Sequence, residues 1–306
     1  MASDVGSILQ TIIRELGQDI PIPALEGITF SLDYPSAILE LERGAGLVSR
    51  TRSRNYGRPV AKSVRVLREG EVKVHLVLDA SIAYFLLSDK EEDLVYSIHL
   101  LLVKLSEVLH ASFYESLLEV DCGAEIDELS KMLFSSVSAA PSSYFCARKS
   151  AFFDPNAGED YAVLVKDSYV SAKKEIYAAR MAYRVSNDVE MLLNAALPQL
   201  SFFLTHAAEW LGHRDGLPES EFLPGSKLLA DLEVFELNLW LELFGRELRS
   251  LYDTDGRFTT TNVFALSRHA ERILWTFQIC PWLMEDGTIY VTVPFGNDLT
   301  TLSVDL

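Results

Sequence analysis

The sequence predicts an α+β protein, predominantly helical, in which a mixed strand-and-helix part precedes a helical part. Three observations carry this. Strand-like alternation is confined to 27–33, 62–79 and 287–295; apolar residues recur at three- and four-residue spacing over long stretches after residue 158; and "FDPNAGED" (153–160) sets Pro, Asn and Gly between the two regimes. The expected domains are therefore 1–152 and 158–306, the second closing with a short β-strand, and each has enough chain to bury its own core.

The elements follow in order. "MASDVGSILQTIIRELGQDI" reads as an amphipathic helix capped at Ser3 or Asp4, not as a basic leader. "GITFSLD" (27–33) alternates as a strand and "YPSAILELER" (34–43) has helical spacing. "GAGLVSRTRSRNYGRP" (44–59) has no period and is rich in Gly, Ser and Arg, which predicts a loop. In "KSVRVLREGEVKVHLVLD" (62–79) β-branched residues alternate with charged ones on both sides of Gly70, the pattern of a hairpin. A short helix (81–88) and a charged loop (88–93) lead into the apolar helix "SIHLLLVKLSEVLH" (97–110). Beyond residue 158, the stretches 160–185, 187–212, 225–251 and 259–280 read as helices, and "GTIYVTVPF" (287–295) returns to a sheet edge or pairs in a small hairpin.

Composition narrows the function classes. Hydrophobic residues are 49% and charged residues 23%, the balance of a folded globular chain. The net charge of −17 argues against general attraction to nucleic acid or anionic lipid. Yet nine basic residues stand against two acidic ones between Arg43 and Lys73, so a basic patch sits on an acidic chain. Within it Arg50, Arg52, Arg54, Tyr56 and Arg58 form a candidate binding loop for phosphates or acidic side chains, with a protein partner or self-association expected. No window supplies about 18 uninterrupted apolar residues, so the expectation is a cytoplasmic protein without a membrane partner. Cys122, Cys146 and Cys280 form no CxxC pair and read as reduced thiols. Neither a Gly-rich phosphate loop nor a G-x-S-x-G elbow is present.

The strand "VKVHLVLD", the helix segment "LLVKLSEVLH" and the downstream "APSSYFCARKSA" (140–151) follow one another in an order that resembles the HExxH zincin metallopeptidases of the ImmA/IrrE type, over roughly residues 60–150. In that family two histidines four residues apart reach one zinc from the same helix face, and the intervening glutamate activates water. In this register Val103 stands at the first histidine, Lys104 at the general base, Glu107 at the second histidine and Ser143 at the third ligand. Valine offers no donor and an ammonium repels a divalent cation. The resemblance therefore implies a zincin-like N-terminal part with a degenerate HExxH site: a pseudoenzyme with no catalytic residues, metal or cofactor, acting by binding as a regulator, sensor or assembly component. The same stretch also fits a plain core helix. Two further readings stay open, a hydrolase site at His206, Glu209 and His213, and an anion- or nucleic-acid-binding module led by the Arg50–Arg58 loop. Glu107 and His110 make one E-x-x-H, whose second copy, needed for a di-metal bundle, is missing.

Overall fold

A computed structural model describes residues 2–16, 22–44, 60–120, 126–218, 230, 235, 237–254 and 258–294, with side chains in the fourth helix followed as far as Ala111. The protein is α+β and predominantly helical, with two small sheets among the described residues. The elements run α1 (Ala2–Leu16), β1 (Leu25–Ser31), α2 (Tyr34–Glu40), β2 (Ala61–Arg68), β3 (Glu71–Asp79), α3 (Ala80–Leu86), α4 (Glu91–Val120), α5 (Glu128–Val137) and α6 (Ala140–Ser150). They continue with α7 (Ala157–Ser186), α8 (Val189–Gly216), α9 (Asn238–Tyr252), α10 (Thr260–Phe264), α11 (Ser267–Thr276), β4 (Cys280–Leu283) and β5 (Ile289–Thr292).

By contact the chain sorts into two compact units: residues 1–120, 142–158 and 211–223 in the first, and 121–141, 159–210 and 224–306 in the second. One crossing, after Gly158, falls inside "FDPNAGED".

In the first unit the sheet order is β1-β3-β2, with β1 parallel to β3 and β2 antiparallel to it. The β2–β3 turn puts Glu69 (φ 53) and Gly70 (φ 85) in the left-handed region, the twist that a tight two-residue hairpin demands. Because side chains alternate across a strand, Val74, Leu76 and Leu78 of β3 meet Leu101, Leu105 and Val108 of α4 on one face. Val77, with Val64 and Val66 of β2, packs under Tyr34 and Ile38 of α2 on the other. The Asp33 and Asp79 carboxylates accept from backbone N–H groups at the starts of α2 and α3. Glu91–Ala111 of α4 is long and apolar enough to cross a membrane by length and composition; in this fold its apolar residues serve the core beside β3.

In the second unit Tyr169, Phe203, Phe235, Trp240, Phe244 and Phe277 form a chain of ring contacts, and α11 packs along α5. The expected helix over 225–251 is described from Asn238 onward. The stretch 259–280 divides into α10 and α11 and ends in a strand, which corrects the single-stretch expectation. The stop has a physical cause: Gln278 (φ 57) is left-handed, its N–H reaches the Trp275 carbonyl at 2.9 Å, and the Ile279 N–H reaches the Leu274 carbonyl at 3.0 Å. That is a Schellman cap, a position usually taken by glycine. The last strand pairs with β4 in a small antiparallel hairpin, with Pro281 and Val291 buried.

Candidate functional site

The periodicity of α4 sorts its residues into two faces. Leu101, Leu102, Leu105, Ser106, Val108 and His110 are buried, whereas Leu100, Val103, Lys104, Glu107 and Ala111 form a half-buried stripe at helical spacing. Val103, Lys104 and Glu107, singled out in sequence, therefore share a stripe of this helix segment that the core leaves partly open.

On that stripe the Lys104 ammonium donates to Glu107 Oε1 at 2.6 Å, and the Ser63 hydroxyl on β2 donates to Oε2 at 2.6 Å. Both carboxylate oxygens are thus engaged, and the side chains of Lys104 and Glu107 are only 16% and 30% exposed. Nearby, the Tyr34 hydroxyl is buried without a hydrogen-bond partner among the described residues. Burial, reinforced by the negative charges of Asp79 and Glu107, pushes its pKa up to about 12, so it stays a neutral phenol. A zinc ion does not fit this donor set. Val103 brings no lone pair, one carboxylate is the sole anionic group among the three positions, and a lysine cation already holds it.

Ser143 lies half-buried on α6 and makes no side-chain hydrogen bond to the α4 stripe. Yet α6 does pack on α4: the His110 and Phe145 rings are 5.0 Å apart, and His99 Nε2 lies 3.1 Å from Ser150 Oγ.

The second of these contacts opens onto a buried cluster that sequence reasoning did not assemble. His99 Nδ1 is 3.6 Å from Asp154 Oδ2, and His213 Nε2 donates to the Asp154 carbonyl at 2.9 Å. Burial lowers the pKa of both imidazoles, against the opposing pull of Asp154, so both are held toward neutrality. Ser150, His99 and Asp154 come in the order of a nucleophile relay, but Ser150 is 0% exposed and the His99–Asp154 separation exceeds a hydrogen bond. The cluster ties α4 to the end of α6, the turn at Asp154 and the end of α8.

Of the proposed trio His206, Glu209 and His213, the structure pairs the first two, with His206 Nδ1 at 2.6 Å from Glu209 Oε2. His213 spends its Nε2 on the Asp154 carbonyl instead. Among the described residues no three His, Cys, Asp or Glu side chains gather as metal ligands. Arg50, Arg52, Arg54, Tyr56 and Arg58 lie outside the described residues. Sequence reasoning missed Ser63, Tyr34 and Asp154; a serine at an inward strand position and an aspartate in a Pro-Asn-Gly turn were the only signals, and both are weak.

No protein-family model, curated protein or solved structure matches this chain.

Proposed function

We propose that the chain is a catalytically inactive, metallopeptidase-like protein that acts by binding, with a zincin-like N-terminal part whose metal site has been replaced by an internal ion pair. The observation that carries this reading is the Lys104–Glu107 pair: at the two positions where the resemblance puts a general base and a zinc ligand, a lysine ammonium sits 2.6 Å from a carboxylate. A divalent ion brought there would meet that ammonium at close range, where charges repel strongly at reduced dielectric.

Two further features support it. The order β1-β3-β2 leaves β2, antiparallel to its neighbour, at the sheet edge, and Ser63 of that strand touches the altered stripe of α4. In addition, α6, which carries Ser143, packs on α4. The binding role, in regulation, sensing or assembly, goes to a protein partner or a second copy of the chain, since an acidic body disfavours nucleic acid.

The test is restoration. Val103→His, Lys104→Glu, Glu107→His and Ser143→Glu together should raise zinc affinity far above that of the parent in a calorimetric titration, with a variant lacking only the Ser143 change binding less tightly. Peptidase activity is not required, since the groups that orient the ligands need not survive. A folded quadruple variant that binds zinc no better than the parent means the side chains do not converge, and α4 is then a core helix without that descent.

A further inference from the structure

From Glu159 onward α7 belongs to the second unit, and it carries two opposed stripes. On one side Val165, Tyr169, Ala172 and Ile176 are buried, at the three- and four-residue spacing of a helix that faces a core. On the other, Val163, Val170, Tyr177 and Val185 are 57%, 41%, 46% and 90% exposed. At about 100° per residue these four, with Asp167 and Lys174 among them, fall within about 80° of arc opposite the buried stripe, along about 33 Å of helix. Apolar residues scattered singly over a surface are ordinary, whereas a row of them on one helix face marks an interaction site.

The two charges in the row decide what covers it. Asp167 and Lys174 are exposed, and neither makes a hydrogen bond or ion pair among the described residues. Two turns separate them, about 10.5 Å along the axis, too far for them to pair within the helix. A second α7 running the opposite way supplies both partners at once. A two-fold axis near Val170 and Ser171 sets Asp167 of each copy level with Lys174 of the other. The same axis brings Glu159 and Asp160 level with Ala182 and Met181, so carboxylate does not face carboxylate. A parallel two-fold pair would instead set every residue against itself, Asp167 on Asp167 and Lys174 on Lys174, and like charges in such a contact are strongly unfavourable.

We propose that the outward stripe of α7 is a docking surface for a second copy of the chain, the two helices antiparallel about a two-fold axis near Val170. The apolar row supplies the buried area, and the Asp167–Lys174 pairs, made twice by symmetry, fix direction and register. Because one patch meets the same patch, association closes at the dimer and does not propagate. The surface lies in the second unit, and the proposal is independent of the zincin resemblance.

The experiment is sedimentation of the full chain from about 1 μM to 1 mM, the range that covers weak but specific association. The parent should pass from monomer to a species of twice its mass. Val170→Glu, which sets carboxylates together at the axis, should keep the helical circular dichroism and weaken association by about a hundredfold. Asp167→Lys alone should weaken it by about tenfold or more, and adding Lys174→Asp should return it close to the parent, since the charges have only changed places. If Val170→Glu does not fold, the two charge variants, both at exposed positions, decide. A parent that stays monomeric throughout overturns the proposal, and the stripe is then not a surface for a second copy. A dimer indifferent to Asp167→Lys or to a folded Val170→Glu also overturns it, because association then uses another face. So does a double variant that associates no more tightly than Asp167→Lys alone, since the two residues then do not meet across the axis.

Discussion

His110 shows how a single buried side chain writes itself into the behaviour of the fold. It is 3% exposed on the core side of α4, and burial pushes its pKa down to about 4 from an ordinary 6.5. Between those values the unfolded chain binds a proton at this residue that the folded chain refuses. Stability is therefore complete above about pH 6.5 and falls as pH drops toward 4, by about 3 kcal/mol from this residue. His99 and His213, whose pKa values burial also lowers, act in the same direction. Urea unfolding between pH 7 and 4 should thus show a steep acid loss, and His110→Gln, uncharged throughout, should remove a large share of it. An identical slope in that variant would mean that the loss arises elsewhere. The i, i+3 spacing of Lys104 and Glu107 was legible in the sequence, but Ser63, 44 positions away, was not, because only the register of β2 against β3 brings it to α4.

At the scale of elements, α6 and the end of α8 approach each other backbone to backbone. A Cβ at Gly212 would collide with the Tyr144 carbonyl oxygen and one at Gly216 with the Arg148 carbonyl oxygen, so two glycines four residues apart let α8 lie directly on the α6 backbone. The Tyr144 hydroxyl donates to Asp215 at 2.6 Å across the same contact. Gly→Ala in a helix normally stabilises by about 1 kcal/mol. Gly6 in α1, where an added Cβ would meet none of the described residues within 4 Å, should follow that rule, and its alanine variant should melt at or above the parent. Gly212→Ala should do the reverse, losing about 2 kcal/mol or more because backbone has to move. Equal Tm changes for the two would show that the helices yield freely. None of this contact was legible in the sequence, where residue 212 was only the expected end of the helix over 187–212. Local signals fared better: the alternation about Gly70 placed the β2–β3 hairpin within one residue at its start and without error at its end, and Asp33 and Asp79 stand where caps should. Sheet order was beyond reach, since the parallel pairing of β1 with β3 is set by which faces α2 and α4 cover and not by either strand's own pattern.

For the whole molecule, composition and periodicity were enough to give α+β with a helical majority, while the division of the chain into compact units rests on long-range contacts that have no local signature. The sequence suggests cutting at the Pro-Asn-Gly turn near residue 158, but the first unit also draws on residues 211–223. That segment brings Gly212 and Gly216 against α6, Asp215 to Tyr144, and His213 to the Asp154 carbonyl. A fragment of residues 1–158 would leave the Tyr144 face of α6 bare and His99 without the neighbour that shares its buried cluster. Apolar and polar groups would be uncovered together, a combination that costs both the packing and the desolvated hydrogen bonds. The expected outcome is a fragment that keeps helical circular dichroism but unfolds in urea with a shallow, poorly cooperative transition. Co-expression with 159–306 should then restore a sharp transition and copurification of the two pieces, because the missing segment returns with the second piece. A sharp two-state transition in 1–158 alone, with an m-value in proportion to its length, would show that residues 211–223 are an accessory to the first unit and not part of its core.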